Sequence, residues 1–317
     1  MKLNNYMDIK RIEFSVTSAC TSRCKHCSVG NASNQIKINI NKNLATTLVS
    51  ELSKKYDIES VMTFGGEPLL YADTVCAIHK VASEKGIPKR QIVTNGYFSE
   101  DYGRISTVAK ALKQSGINSL LLSIDAFHRE HISLDKVYLF AKAVSDECIS
   151  GFKLHPAWVV KREEHNKYNE ETEECLNYFV DLQIPITQGN NIFPSGNAAI
   201  YLSEFYEKKP INLSMKCGEA PYTERLDNVE TIAINPNGDV VVCCFIIGNI
   251  YCDNIIDIVR QYNPCTNPMI WALINGGVRE LIKLAEEYEI TVDTTQFYSA
   301  CDVCRNIVKR LSLRITS

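Results

Sequence analysis

The 317-residue sequence has no apolar run approaching the roughly 20 residues that a membrane span requires. Its opening stretch, MKLNNYMDIKRIEF, lacks the apolar core of a secretory signal, so a cytoplasmic location is the default expectation. An excess of either charge is also missing. With 34 Lys and Arg against 37 Asp and Glu, the net charge of -3 gives no basic footprint for nucleic acid or an anionic membrane. The acidic run Glu170-Glu171-Thr172-Glu173-Glu174 reads as a solvated helix face. No internal repeat or low-complexity tract breaks the pattern.

Cysteine, by contrast, is abundant. Thirteen in a chain without a secretory signal do not read as a disulfide scaffold, and metal or redox chemistry becomes the leading explanation. Cys76, Cys148 and Cys175 stand singly within predicted helices and read as buried small hydrophobes.

The first two thirds alternate β-branched runs with amphipathic segments, the pattern of a parallel sheet flanked by helices. Strands are expected at Arg11–Val16, Ser60–Phe64, Arg90–Val93, Ser119–Ile124, Phe152–Val160 and Pro185–Gln188. Leu44, Leu48 and Leu52 share a helical spacing, as do Val137, Phe140, Ala141 and Val144. Six βα units point to an α/β fold, a partial (β/α)6 barrel of the TIM type, with a doubly wound sheet as the alternative. In both, ligands collect at the carboxyl ends of the strands. A boundary near Leu202 divides residues 1–202 from 203–317. Beyond it, Glu230–Ile234 and Asp239–Val242 flank Asn235-Pro236-Asn237-Gly238, a hairpin signal, and helices follow.

The loop after the first strand reads Cys20-Thr21-Ser22-Arg23-Cys24-Lys25-His26-Cys27. Three thiolates in this spacing can hold three irons of a 4Fe-4S cluster and leave the fourth open to a ligand. Zinc is the alternative, with His26 as the only local candidate for a fourth ligand.

This C-x-x-x-C-x-x-C loop resembles the signature of the radical S-adenosylmethionine superfamily. Phe64-Gly65-Gly66-Glu67-Pro68, after the second strand, is similar to the superfamily's glycine-glycine-glutamate motif, which implies that Gly65, Gly66 and Glu67 meet the cofactor's amino group. Thr94 and Asn95, ending the third strand, and Ser123 and Asp125, ending the fourth, resemble cofactor-facing positions; Asp125 also reads as a helix cap. His128 and His131 read as structural or exposed. Pro194-Ser195-Gly196-Asn197 resembles a proline-x-glycine-arginine stretch with Asn197 in the place of the arginine, so no carboxylate contact carries over.

The resemblance implies one-electron cleavage of S-adenosylmethionine at the open iron. The resulting 5′-deoxyadenosyl radical would abstract a hydrogen atom from a substrate in a shielded cavity. An electron donor such as flavodoxin or ferredoxin is implied as a partner.

The C-terminal cysteines resemble the auxiliary-cluster extensions called SPASM or twitch domains, with the shorter twitch form the better match. A second, auxiliary 4Fe-4S cluster is expected on Cys217, Cys243, Cys301 and Cys304, with Cys252 and Cys265 as rivals and zinc as the alternative metal. Cys244, adjacent to a ligand, is expected to face away on its strand and to donate a hydrogen atom at the active-site mouth. The pattern is similar to peptide epimerases, so a peptide substrate is the first expectation, modified by epimerization or crosslinking. Because about ten residues precede the first strand, a leader peptide would have to be held elsewhere. A small metabolite or a protein residue is the alternative substrate, and a zinc-stabilised interaction module the alternative of another class.

Overall fold

A computed structural model describes residues 4–30, 37–220 and 223–315. The chain begins with β1 (Met7–Ser15), then α1 (Lys42–Leu52), β2 (Ser60–Phe64), α2 (Ala72–Glu84), β3 (Lys89–Thr94), α3 (Tyr102–Gln114) and β4 (Ser119–Ser123). It continues through α4 (Ala126–Arg129), α5 (Leu134–Asp146), β5 (Phe152–His155), β6 (Ala157–Val159), α6 (Lys167–Asn177), β7 (Asn190–Ile192) and α7 (Asn197–Tyr201). The last third carries β8 (Val229–Ile234), β9 (Asp239–Val242), β10 (Phe245–Asn249), α8 (Ile255–Gln261), α9 (Pro268–Gly276), α10 (Val278–Glu287) and α11 (Ala300–Ile315).

Strands β1 to β5 pair in sequence order, all parallel, which is the expected partial barrel. Their alternation decides the packing: Ile12 and Phe14 of β1, Val61, Ile92, Leu120 and Leu122 are buried under the helices. The expected stripes meet them there, with Leu48 and Leu52 of α1 and Val137, Phe140, Ala141 and Val144 of α5 all buried. Each of these Val, Leu, Ile and Phe side chains contributes roughly 1.5–3 kcal/mol on burial.

Two expected strands differ. Phe152–Val160 is broken into β5 and β6 at Pro156, which has no N–H to donate to a ladder. Pro185–Gln188 forms no strand. Its backbone meets β5 through Leu154 N–H on the Pro185 carbonyl (2.9 Å) and Thr187 N–H on the Leu154 carbonyl (2.9 Å). Gly189, at φ +78°, then turns the chain so that β7 pairs with β6 as a separate parallel two-strand sheet. Cys148 also departs from expectation: it lies beyond the end of α5 at φ +52° and is exposed, whereas Cys175 is buried in α6 and Cys76 half-buried in α2.

Beyond Leu202 the chain returns to the main sheet. Strand β8 pairs parallel with β1, and β9 and β10 add antiparallel strands outside it, giving the order β10-β9-β8-β1-β2-β3-β4-β5. The expected hairpin is therefore β8–β9, and β10 is a further strand that the sequence pattern did not announce. None of the described helices is long and apolar enough to cross a membrane.

Candidate functional site

The three-cysteine loop leaves the carboxyl end of β1 and is fixed by contacts between backbones. Gly66 N–H bonds the Thr17 carbonyl (2.7 Å) and Glu67 N–H the Ala19 carbonyl (2.8 Å), so the turn after β2 lies against the chain entering Cys20. A Cβ on Gly66 would come within 2.0 Å of the Ala19 oxygen, and one on Gly65, at φ +139°, within 2.7 Å of the Thr17 oxygen. Only glycine fits this approach. What these glycines meet in the structure is the cysteine loop itself.

Glu67 is fully buried. Its Oε1 accepts from Leu69 N–H (2.9 Å) and the Thr94 hydroxyl (2.6 Å), and its Oε2 from Asn95 N–H (2.8 Å). Burial outweighs these donors and pushes the carboxyl up to about 7. The carboxylate expected to meet a cofactor amino group is thus engaged in joining the β2 turn to the end of β3. Thr94 serves the same joint and accepts from Gly96 N–H (3.0 Å).

Asn95 reaches the loop directly: its Nδ2 donates to Thr21 Oγ1 (3.1 Å) and lies 3.8 Å from Cys20 Sγ. Ser22 N–H points at the same sulfur (3.4 Å), while Ser22 Oγ is 2.9 Å from Cys24 Sγ. Without a metal, burial pushes the Cys20 thiol up to about 11. Amide donors aimed at a sulfur suit a thiolate ligand, so this loop fits the open cluster expected of it.

From the far side, Asn197 N–H bonds the Cys27 carbonyl (3.0 Å) and its Nδ2 the Cys24 carbonyl (3.1 Å). The asparagine in the arginine's place thus holds the cysteine loop. Gly196, at φ +57°, is required for that approach, since a Cβ would fall 2.5 Å from the Ser28 oxygen.

Ser123 ends β4 half-buried, level with His155 of β5. Asp125 is 1% exposed and turned inward. It caps α4 through Phe127 and His128 N–H (3.1 and 3.0 Å), and both its oxygens lie 2.9 Å from His128 Nδ1. Burial opposes ionisation of Asp125, but His128 and His26 bring its carboxyl down to about 2. Burial likewise opposes charge on His128, yet Asp125 and the Cys24 sulfur hold it well above the ordinary histidine range. Both oxygens of the Asp125 carboxylate are thus engaged by His128, and one of them also caps α4. The i, i+3 spacing of Asp125 and His128 was the signal for this pair.

His26 completes the corner, its ring 4.9 Å from Phe127 and 5.3 Å from His128, and burial lowers it to about 4. One donor atom each from His26, Asp125 and His128 lies within 4.8 Å of the others.

The C-terminal cysteines converge more than expected. Cys217, Cys243, Cys244, Cys301 and Cys304 line one cavity of about 130 Å³. Their thiols sense one another: Cys243 raises the pKa of both Cys217 and Cys244, and Cys304 raises that of Cys244. The expectation that Cys244 faces away from its neighbour fails because the two form the turn between β9 and β10, with Cys243 at φ +56°. The expected position at the active-site mouth fails too. Val241 pairs with Ala233, so the turn after Val242 lies toward the amino end of β8, whereas the Cys20 loop leaves the carboxyl end of β1. Roughly 15 Å or more of sheet separates them, at about 3.3 Å per residue and 4.8 Å per strand. Cys252 and Cys265 do not reach this cavity; both are exposed, and Cys265 Sγ lies 3.9 Å from the Tyr6 hydroxyl.

Comparison with known proteins gives concordant results. Residues 14–199 match the family described as the radical SAM superfamily. A "Probable GTP 3′,8-cyclase" of Methanocaldococcus jannaschii is 27% identical over 124 residues, 39% of this chain and 39% of that protein. The corresponding protein of Methanococcus aeolicus is 28% identical over 193 residues, 58% of this chain and 61% of its own. The chain thus spans less than two thirds of these relatives. Among solved structures, histidine-tagged anSMEcpe with bound AdoMet superposes with a TM-score of 0.51 at 12% identity, covering 97% of this chain and 98% of the other. That likeness shows the fold.

Proposed function

Since the chain belongs to the radical SAM superfamily, we propose that it generates a 5′-deoxyadenosyl radical and uses it on a small polar metabolite. The observation that carries the chemistry is the loop Cys20–Cys27, clamped by Gly66, Asn95 and Asn197, with three thiols and no fourth in its own segment. When bound, a 4Fe-4S cluster with S-adenosylmethionine supplies one-electron cleavage of the sulfonium and a hydrogen-abstracting radical. Cys20, Cys24 and Cys27 would hold the cluster, Asn95 and Ser22 would donate to its sulfurs, and Gly65 and Gly66 would set the loop's height above the strands. Ser123, half-buried at the end of β4, remains a candidate for a ribose contact.

The small-metabolite reading draws on two supports. The sequence relatives carry the name of enzymes acting on a nucleotide. The face of the sheet away from the helices is polar, bearing Arg11, Glu13, Gln91, Lys153 and His155. A peptide substrate, with epimerization or crosslinking, has no comparable observation and enters the test as the competing outcome.

A second cluster is part of the proposal. Five thiols around one cavity supply the four ligands a closed site needs, with Cys217, Cys243, Cys301 and Cys304 the expected set and Cys244 a fifth within reach.

The test is anaerobic reconstitution, followed by assay of 5′-deoxyadenosine with separate metabolite and peptide pools. Stimulation by phosphorylated or other polar metabolites supports the reading. Stimulation by peptide alone, with loss of two hydrogens or uptake of solvent deuterium, replaces the substrate. A colourless protein holding zinc and no iron overturns the proposal.

A further inference from the structure

The interior of a (β/α) barrel is normally filled by layers of branched apolar side chains. Here the register selects a different set. Residues paired across parallel strands share a face, which puts Arg11, Ser60 and Lys89 at one level. Glu13, Met62, Gln91 and Ser119 form the next, and Leu121 with Lys153, then Ser123 with His155, lie above it.

Arg11 is satisfied within this face. Its Nε donates to Glu13 Oε1 (2.6 Å), one terminal nitrogen to Ser60 Oγ (2.9 Å) and the other to Gln91 Oε1 (3.4 Å). The Arg11–Glu13 pair cancels its own charge. Lys89 and Lys153 are different: neither forms an ion pair among the described residues. Both line a cavity of about 530 Å³ together with Gln91, Asn118, Ser119 and His155. His155 is fixed by Thr187, whose Oγ1 lies 2.7 Å from Nδ1. Asn118 is already bonded to Pro88 and Arg90, so the two uncompensated cations, the Gln91 amide N–H2 and the Ser119 hydroxyl make up the donor set of an anion site around this concavity.

The spacing narrows the anion. Lys153 pairs with Leu121, which is level with Val93, so about 13 Å along the strands separates the Lys89 and Lys153 levels, at about 3.3 Å per residue. Flexible lysine arms from two such levels grip an extended anion better than a single compact one.

We propose that Lys89 and Lys153 form the subsite for an extended phosphate group, a diphosphate or longer, on the substrate. This rests on reading the concave face as the substrate side of a radical SAM enzyme. The ammonium groups hold one end of the substrate against β3 and β5, leaving the other end toward the carboxyl ends of the strands, where the cysteine loop lies.

The experiment is titration calorimetry of the reconstituted protein with pyrophosphate at low salt, beside inorganic phosphate and succinate. Saturable pyrophosphate binding is expected, weakened at least about tenfold by Lys89→Ala or Lys153→Ala, as loss of a charge-assisted contact predicts. Lys153→Arg should restore most of it, and Lys110→Ala, on the exposed side of α3, should change nothing. No pyrophosphate binding, equal binding by all variants, or tighter binding of succinate would overturn the subsite. Its failure is distinguishable from failure of the proposed function, because cleavage of S-adenosylmethionine is measured separately. Cleavage without anion binding removes only the subsite, and anion binding by a chain that cannot hold iron removes only the radical chemistry.

Discussion

Both carboxylate oxygens of Asp125 lie 2.9 Å from His128 Nδ1, and the Asp125 carboxylate caps the short helix that carries His128. The pair stands behind Cys24, whose sulfur contributes to holding His128 charged. In Asp125→Asn the cap survives, because asparagine serves that position as well as aspartate. The charge partner is lost, so the His128 pKa should fall, as followed by NMR of the ring protons. Asp125→Ala removes both roles and should cost about 2–4 kcal/mol in urea unfolding. An unchanged His128 titration in Asp125→Asn would refute the pairing.

Glu67 gives a pH dependence of definite sign. Its folded pKa is about 7, above the ordinary value of 4.5, so the folded state binds the proton more tightly than the unfolded chain. This contribution to stability is complete below about 4.5 and is lost as pH rises to about 7. Glu67→Gln should be less stable overall, because its amide N–H2 faces donors already aimed at the carboxylate, and it should lack that falling slope. Denaturant unfolding between pH 4.5 and 8 measures the difference.

Gly66→Ala should fail at the loop rather than in the core. The added carbon meets the Ala19 oxygen at 2.0 Å, and that oxygen belongs to backbone, which cannot rotate away. A loss of about 3 kcal/mol, the upper end of the range for overpacking, is expected where the clash is with fixed backbone. Iron retention should fall with it, while Gly86→Ala, where a Cβ meets nothing within 4 Å, should keep its iron. Thermal melts and iron content per chain separate the two.

Iron stoichiometry tests the proposed pair of clusters. The reconstituted chain should carry about eight irons, and replacing Cys301 and Cys304 by Ala should leave about four. Cys244→Ala should keep both clusters if the other four thiols suffice. Loss of one cluster in Cys244→Ala would instead make Cys244 a ligand.

The cysteine loop, the glycine turn and the helical stripes were legible because each is a local pattern: a spacing of thiols, a pair of glycines after a strand, apolar residues three or four apart. The break at Pro156 had a local signal too, since a proline inside a strand removes a ladder donor, although the expected strand ran through it. The inward turn of Asp125 was legible only in part: His128 at i+3 was a signal for the pair, but nothing in Ser123-Ile124-Asp125 itself fixes whether the carboxylate faces a ligand or that histidine. The place of Cys244 was not legible. A two-residue turn made of cysteines carries no glycine or asparagine signal, and strand alternation then assigned the two thiols to opposite faces. The polar positions of β1, β3 and β5 did follow a period of two in the sequence. Their meeting in one cavity depended on the register between strands.

The proposed radical chemistry depends on the open coordination site on the Cys20–Cys27 loop. Electron paramagnetic resonance of the dithionite-reduced protein, before and after addition of S-adenosylmethionine, tests it most directly in the Cys301→Ala/Cys304→Ala variant, where the loop's cluster is observed alone. A 4Fe-4S signal is expected whose g-values shift when S-adenosylmethionine is added, accompanied by 5′-deoxyadenosine, and no signal is expected once Cys20, Cys24 and Cys27 are also replaced. A signal indifferent to S-adenosylmethionine, or one that survives loss of those three cysteines, would contradict the open site.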